Sequence, residues 1–191
     1  MDVHDRTGRL SELRSIIDAT PGSDVLKIGA QAIARRSITD RPDDDDPRTT
    51  LDPDENEGVT QLVAMFESVF LVAAADGQLV KSEVDELSAM LVELTGRMVP
   101  VREIEKLVDR CSEMLDRDDY DARATAIATQ LSDPHARRTA FVMAVGVAYV
   151  DGRVQEEERD VFELLAEAFG IGGDEAATLV ESTRQRLEAR D

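Results

Sequence analysis

The chain has 191 residues and a formal net charge of −19 at pH 7. This length fits one domain with an appendage. The negative charge argues against binding to nucleic acid or to an anionic membrane surface, because both need a basic face on the protein.

The sequence indicates a protein of the cytoplasm. Its one cysteine, Cys111, excludes an internal disulfide and fits a reducing compartment. We expect no secretory signal, because the first ten residues contain no apolar core. The longest apolar runs, such as Phe141–Val150, are shorter than the roughly 20 residues that a membrane span needs. They predict buried helices and no membrane-spanning segment.

Two helices are predicted near the N-terminus. Leu10, Leu13 and Ile17 share one helical face, and Pro21-Gly22 ends that helix. A second, weaker helix is predicted from about Asp24 to Ile38. A helical pair this short seldom folds alone. We therefore expect it to dock on the main domain or on a partner.

An acidic segment divides the chain. Residues 42–58 carry a net charge of −7, contain three prolines and have almost no apolar side chains. Such a segment buries too little surface to offset the entropy lost on ordering. We predict a flexible linker at 42–58 between an N-terminal helical segment, residues 1–41, and a helical domain, residues 59–191.

The pattern from Val59 onward is helical throughout and predicts six to seven helices in a compact all-α bundle. The helices predicted over 59–75 and 134–150 are apolar on every side, so they must lie at the centre. Gly146 stands inside the second of them, where glycine costs about 1 kcal/mol relative to alanine. We interpret Gly146 as the site of a close helix–helix crossing.

A repeat underlies this bundle. A shift of 75 residues places 66–94 on 141–169 with seven identities in 29 positions. Both copies have one format, in which an apolar helix is followed by Asp-Gly, a short apolar linker and a helix with an early glutamate. The matching residues are Asp76 and Asp151, and Glu83 and Glu158. The fold is thus predicted to contain two pseudo-repeated helix–loop–helix units.

The four carboxylates allow two interpretations. Glu83 and Glu158 are placed near the third position of a helix, where a carboxylate stabilises free backbone N–H groups. Asp76 and Asp151 follow the C-terminal end of a helix, where a negative charge is disfavoured. If a pseudo-two-fold axis relates the repeats, the four carboxylates come together and prefer a hard cation such as Ca²⁺, Mg²⁺ or Mn²⁺. Capping and metal binding both stay open at this point.

The repeated motif resembles a known family. The segments AAADGQLVKSEVDEL and YVDGRVQEEERDVFELLAEAFGI are similar to the repeated A-D-G-x-(apolar)-x-x-x-E signature of TerB-like proteins, the tellurite-resistance family. The resemblance covers roughly residues 60–190. It implies a compact helical fold, a divalent-metal site at Asp76, Glu83, Asp151 and Glu158, and protein partners in stress-response complexes near the membrane. Val80 and Gln155 depart from the Ser or Thr expected at a helix cap.

Catalysis has little support in the sequence. His4 lies at the N-terminus, His135 lies in a predicted first helical turn, and Cys111 lies on an apolar stripe. There is no phosphate-binding glycine loop, no zinc-ligand spacing and no plausible triad. We expect a non-catalytic TerB-like binding module. The alternative is a metal-dependent hydrolase, or another enzyme that uses the carboxylate cluster.

Overall fold

The computed structural model describes residues 3–38, 51–77, 79–150 and 154–189. All regular elements within these ranges are α-helices, so the predicted all-α class is confirmed. They are α1 Val3–Ala19, α2 Asp24–Ile38, α3 Pro53–Ala73, α4 Lys81–Leu94, α5 Val101–Leu115, α6 Tyr120–Gln130, α7 Pro134–Val150, α8 Glu156–Phe169 and α9 Gly173–Glu188.

α3 and α7 form the centre of the bundle, as their all-round apolar sequences predict. Each is buried along most of its length, and the two pack against each other. Phe66 and Phe141 are 2% and 0% exposed. Full burial of one such side chain contributes about 1.5–3 kcal/mol. The pairing of these two helices therefore supplies a large part of the core.

The repeat is visible in the helix boundaries. α4 begins at Lys81 and α8 at Glu156, and they end at Leu94 and Phe169, so both ends keep the 75-residue shift. α8 ends as predicted, with Gly170 in the left-handed region at φ 68° and the Ile171 backbone N–H donating to the Ala166 carbonyl at 2.9 Å. The two units, α3–α4 and α7–α8, are therefore built alike.

The N-terminal helices dock on the bundle, which is one of the two outcomes expected for them. α1 packs on α7 and α9, and α2 packs along α3. Leu13, Ile17 and Leu26 are buried in the same apolar core as α3 and α7. The division of the chain into 1–41, 42–58 and 59–191 stays a prediction. Residues 42–50, most of the predicted linker, lie outside the described residues.

α3 begins at Pro53, six residues before the start that apolar periodicity predicted. Asp52 is its N-cap: the Asp52 carboxylate accepts from the Glu55 backbone N–H at 2.8 Å, and the Glu55 carboxylate accepts from the Asp52 N–H at 3.1 Å. Pro53 stands at the first helical position, which needs no N–H. The helix begins with a polar capping box, which a search for periodic apolar residues does not detect.

Gly146 lies at a close crossing, as predicted, and the partner is α1. A Cβ atom at Gly146 would lie 2.1 Å from Cδ1 of Leu13. Leu13 is fully buried. The glycine thus forms a notch in the central helix α7, and the side chain of Leu13 fills it.

This fit predicts the behaviour of Gly146→Ala. The added methyl group collides with Leu13, so we expect a loss of about 1–3 kcal/mol in the free energy of unfolding, although alanine is the better helix former. Urea unfolding followed by circular dichroism measures this loss. Adding Leu13→Ala should recover part of it, which a double-mutant cycle detects.

Gly8→Ala is the matched control, because Gly8 lies in α1 with nothing within 4 Å of an added Cβ atom. Gly8→Ala should leave stability unchanged or raise it by up to about 1 kcal/mol. Additive effects of Gly146→Ala and Leu13→Ala would show that α1 does not occupy the notch in solution.

Candidate functional site

A cavity of about 210 Å³ lies where the two repeats meet, and three of the four predicted carboxylates line it: Asp76, Glu83 and Glu158. Its wall is formed by Val69, Val72, Ala73, Ala144, Val147 and Ala148 of the central helices, together with Leu79, Glu86, Leu87, Met90 and Gln155. The packing of α3 beside α7 thus brings the starts of α4 and α8 to one side of the bundle. We call this space the carboxylate cavity.

Glu83 and Glu158 cap the helices that they begin. The Glu83 carboxylate accepts from the Val80 backbone N–H at 2.9 Å, and the Glu158 carboxylate accepts from the Gln155 N–H at 2.7 Å. The side chains of Val80 and Gln155 make no capping hydrogen bond in return. The capping interpretation of the two glutamates is confirmed for one oxygen of each carboxylate.

Asp76 has a different environment. α3 ends at Ala73, so Asp76 lies in the turn that follows the helix and not in its last turn. The turn is closed by the Gly77 backbone N–H, which donates to the Ala74 carbonyl at 3.0 Å, with Gly77 at φ 141°. Asp76 is exposed, and it makes no hydrogen bond or ion pair with the residues that the structure describes. No loop N–H group within the described ranges offsets its charge.

Tyr120 ties this turn to α6. Its hydroxyl donates at 2.5 Å to the Ala74 carbonyl, the same oxygen that accepts from the Gly77 N–H in this turn. Burial raises the pKa of Tyr120, and the nearby Asp76 charge raises it further. Tyr120 therefore stays protonated and holds the base of the turn in place.

The structure does not present a finished metal site. Asp151 lies outside the described residues, as do Gly152 and Arg153. Within the described ranges, no group of three or more His, Cys, Asp or Glu side chains is arranged to hold a metal ion. Asp76, Glu83 and Glu158 share a cavity without converging on one point. Their carboxylates are nevertheless the ligand type that Ca²⁺, Mg²⁺ and Mn²⁺ prefer.

A buried ion pair between α3 and α6 was missed by the sequence reasoning. Glu67 of α3 is 2% exposed and accepts from Nε and Nη2 of Arg123, on α6, at 2.7 and 2.5 Å. Arg123 also donates to Asp118 at 3.1 Å. The signal in the sequence was a single acid inside an apolar helix, at Glu67 in AMFESVF. A buried charge of this kind requires a partner.

The pKa shifts of this pair follow from its burial. Desolvation raises the pKa of Glu67, and the hydrogen bond from Arg123 only partly opposes that shift. Burial alone would lower the pKa of Arg123, but its hydrogen bonds to Glu67 and Asp118 raise it. Because the folded state raises the pKa of Glu67, its contribution to stability is full below pH about 4.5 and declines as pH rises through the folded pKa.

Neither candidate nucleophile or base lies in a reactive setting. Cys111 is buried in the core, and desolvation, followed by the charge of Glu67, raises its pKa to about 12. Its thiol is therefore protonated at neutral pH. His135 is exposed in the first turn of α7, where its backbone N–H donates to the Asp133 carboxylate at 3.1 Å. As predicted, Cys111 lies on a buried apolar stripe and His135 lies in the first turn of a helix.

Comparison with known proteins identifies the family. The sequence model of the family described as tellurite resistance protein TerB matches residues 60–181, nearly two thirds of the chain. The chain belongs to the TerB family. The match includes Asp76, Glu83, Asp151 and Glu158. Searches of the curated proteins and of the solved structures found no match.

The TerB-family match spans α4 to α8 with most of α3 and about half of α9, and α1 and α2 lie outside it. The helices that dock through Leu13 and Leu26 are therefore additions to the matched region in this chain. No helix in the described part of the chain is both long and apolar enough to cross a membrane.

The ion pair leads to a prediction about Arg123. Arg123→Met leaves Glu67 buried and without its partner, so we expect a loss of about 3–5 kcal/mol in the free energy of unfolding at neutral pH. The loss should shrink at acidic pH, where Glu67 takes up a proton. Chemical denaturation at several pH values measures both effects. The double variant Glu67→Met with Arg123→Met should recover most of the stability, and failure to recover it would contradict an ionic cause.

The capping contacts lead to a second prediction. Glu83→Gln and Glu158→Gln should each lower the free energy of unfolding by about 0.3–1 kcal/mol in metal-free buffer, because each removes a negative charge from a helix N-terminus. Thermal melts report the change. Glu113→Gln is the control, since Glu113 lies near the C-terminal end of α5 and its loss should be neutral or slightly stabilising. Equal losses at all three positions would argue against a capping role.

Proposed function

We propose that this TerB-family chain is a non-catalytic module that binds a divalent cation, Ca²⁺, Mg²⁺ or Mn²⁺, through Asp76, Glu83, Asp151 and Glu158. The observation that carries the proposal is the state of Asp76. It lines the carboxylate cavity beside Glu83 and Glu158, yet no described residue pairs with it. An unpaired carboxylate beside two others raises the local negative potential, which a cation relieves.

The donor chemistry supports a hard cation. All four residues offer carboxylate oxygens, and no histidine or cysteine lines the described part of the cavity. Zinc prefers nitrogen and sulfur ligands at structural sites, whereas Ca²⁺, Mg²⁺ and Mn²⁺ prefer oxygen. One oxygen of Glu83 and one of Glu158 are held by backbone N–H groups. Those hydrogen bonds fix the orientation of the carboxylates, as supporting contacts do around metal ligands.

A non-catalytic role is supported by the chemistry around the cavity. No histidine or cysteine is among its lining residues within the described part of the chain, and the Cys111 thiol is protonated and buried elsewhere. We further propose that the chain acts as an interaction component of tellurite- or stress-response complexes in the cytoplasm, with protein partners close to the membrane. Its family membership and its acidic charge support this role.

Calorimetric titration tests the metal site. The parent protein, stripped of metal, should release or absorb heat on titration with Ca²⁺, Mg²⁺ or Mn²⁺. The double variant Asp76→Asn with Asp151→Asn should give none, because asparagine keeps the size of aspartate but removes its charge. Without added metal this variant should be as stable as the parent or slightly more so, because repulsion among the carboxylates is relieved.

The matched control is Asp109→Asn with Asp160→Asn, which removes two charges from exposed helical positions outside the carboxylate cavity. It should bind metal like the parent. If the parent gives no heat with any of the three ions, the metal proposal is wrong. A large loss of melting temperature for the Asp76 and Asp151 variant in metal-free buffer would mean that these carboxylates anchor the loops.

A further inference from the structure

A second concave surface lies on another side of the bundle, between α8 and α9. Both helices pack on α7 but touch each other little, and the space between them is about 700 Å³. Its floor is apolar: Phe141 of α7 contacts Phe162 edge-to-face at a centroid distance of 6.4 Å, and Ile171 lies at one end. We call this space the α8–α9 groove. It is separate from the carboxylate cavity, with which it shares no lining residue.

The wall on the α8 side is one continuous helical stripe. Its members recur at i, i+3, i+4, i+7 and i+8, and they are Arg159, Phe162, Glu163, Ala166 and Glu167. Eight residues of helix rise about 12 Å. One face of α8 is therefore turned toward the groove for somewhat more than two turns.

α9 presents the same spacing from the other side, through Gly173, Ala176, Ala177, Val180 and Glu181. These side chains are mostly small, so a third helix can approach the backbone of α9 closely. Two helical stripes that line one groove form a surface of the kind that accepts an amphipathic helix through anchors at i, i+3 or i+4, and i+7. The dimensions fit a partner helix of two to three turns.

The charged side chains at the edges of the groove, which we call its rim, indicate what kind of partner it fits. Glu163 and Glu167 are exposed and make no ion pair within the described part of the chain. Glu181, on the opposite rim, is held by Arg184 and Gln185. Arg159 is the one basic side chain among the described lining residues, and it lies at one end of the α8 stripe. The uncompensated acidic charge beside the groove therefore lies on α8, at Glu163 and Glu167.

This charge argues against the simplest occupant, a second copy docked by the same face. An isologous dimer would bring together two copies each of Glu163 and Glu167 with only two copies of Arg159, and an excess of like charge at an interface is costly. An anionic lipid headgroup is disfavoured for the same reason. A helix with a narrow apolar face flanked by Lys or Arg can pack its apolar side chains in the groove and place its basic side chains beside the glutamates.

We propose that the α8–α9 groove binds an amphipathic helix of a partner protein, with apolar anchors against the accessible side chains of Ala176, Ala177 and Val180 and basic side chains toward Glu163 and Glu167. The metal proposal can fail without affecting this one, since the two surfaces are distinct. Binding is strengthened by low salt, because the rim contacts are exposed and screened.

A displayed library of helical peptides, about as long as α8, provides the probe. Selection uses the full-length protein in EDTA, so that a cation in the carboxylate cavity makes no contribution. The proposal expects enriched peptides with apolar residues at i, i+3 or i+4, and i+7, flanked by Lys or Arg. A selection that enriches no peptide, or that enriches acidic peptides or peptides without helical spacing, overturns it.

The best enriched peptide is then titrated by fluorescence anisotropy against variants of the protein. Ala177→Trp fills the groove and should abolish binding at every salt concentration. Glu163→Gln with Glu167→Gln should weaken binding about fivefold at low salt and less at high salt. The control Glu105→Gln with Asp109→Asn removes two exposed charges with the same i, i+4 spacing on α5, and it should change affinity less than about twofold.

Two further readouts make the result decisive. Circular dichroism and a thermal melt establish whether Ala177→Trp is folded. Amide shift changes in the parent protein locate the peptide without any substitution, and they should fall on α8 and α9. Parent-like affinity in folded Ala177→Trp, equal weakening by both charge variants, or shift changes confined to another face would each refute the proposal.

Discussion

The structure depends on one constraint: residues 61–73 of α3 and 139–150 of α7 have no polar face. A helix that is apolar on every side must be surrounded, and the remaining helices are placed so that they surround this pair. α2 packs along α3, α1 and α9 pack on α7, and α8 contacts both. Glu67 is the exception inside α3, and its charge obliges Arg123 to approach from α6. Both the apolar packing and the Glu67–Arg123 ion pair thus involve the central helices.

The same constraint positions the functional surfaces. Because α3 and α7 lie side by side, α4 and α8 begin on the same side of the bundle, and Asp76, Glu83 and Glu158 line one cavity. Because α8 and α9 each pack on α7 more closely than on each other, a groove is left between them. The carboxylate cavity is thus a product of the repeat. The groove is not, since it requires α9, which stands outside the repeated unit.

The sequence predicted those features that depend only on residues close together in the chain. The 75-residue repeat, the αL glycine at Gly170 and the capping glutamates are properties of short segments, and the structure agrees with them. Gly146 was identified as a crossing because glycine is otherwise costly within a helix. Its partner, Leu13, was not identified, since a notch does not reveal which distant side chain fills it. The Glu67–Arg123 pair and the α8–α9 groove were missed for the same reason: both depend on contacts between segments far apart in the sequence.

The acidic residues discussed above fall into two groups, those with a hydrogen-bond or ionic partner and those without a partner among the described residues. Glu67 is balanced by Arg123, and Glu83 and Glu158 are balanced in part by backbone N–H groups at helix starts. These carboxylates have structural tasks that their contacts explain. Asp76, Glu163 and Glu167 are exposed and have no partner among the described residues. A fold gains nothing from an unpaired carboxylate beside others of the same sign, because their repulsion opposes the compact state. The proposed metal site and the proposed helix-binding groove both lie where such residues border a concavity, and a ligand of positive charge would relieve their repulsion there.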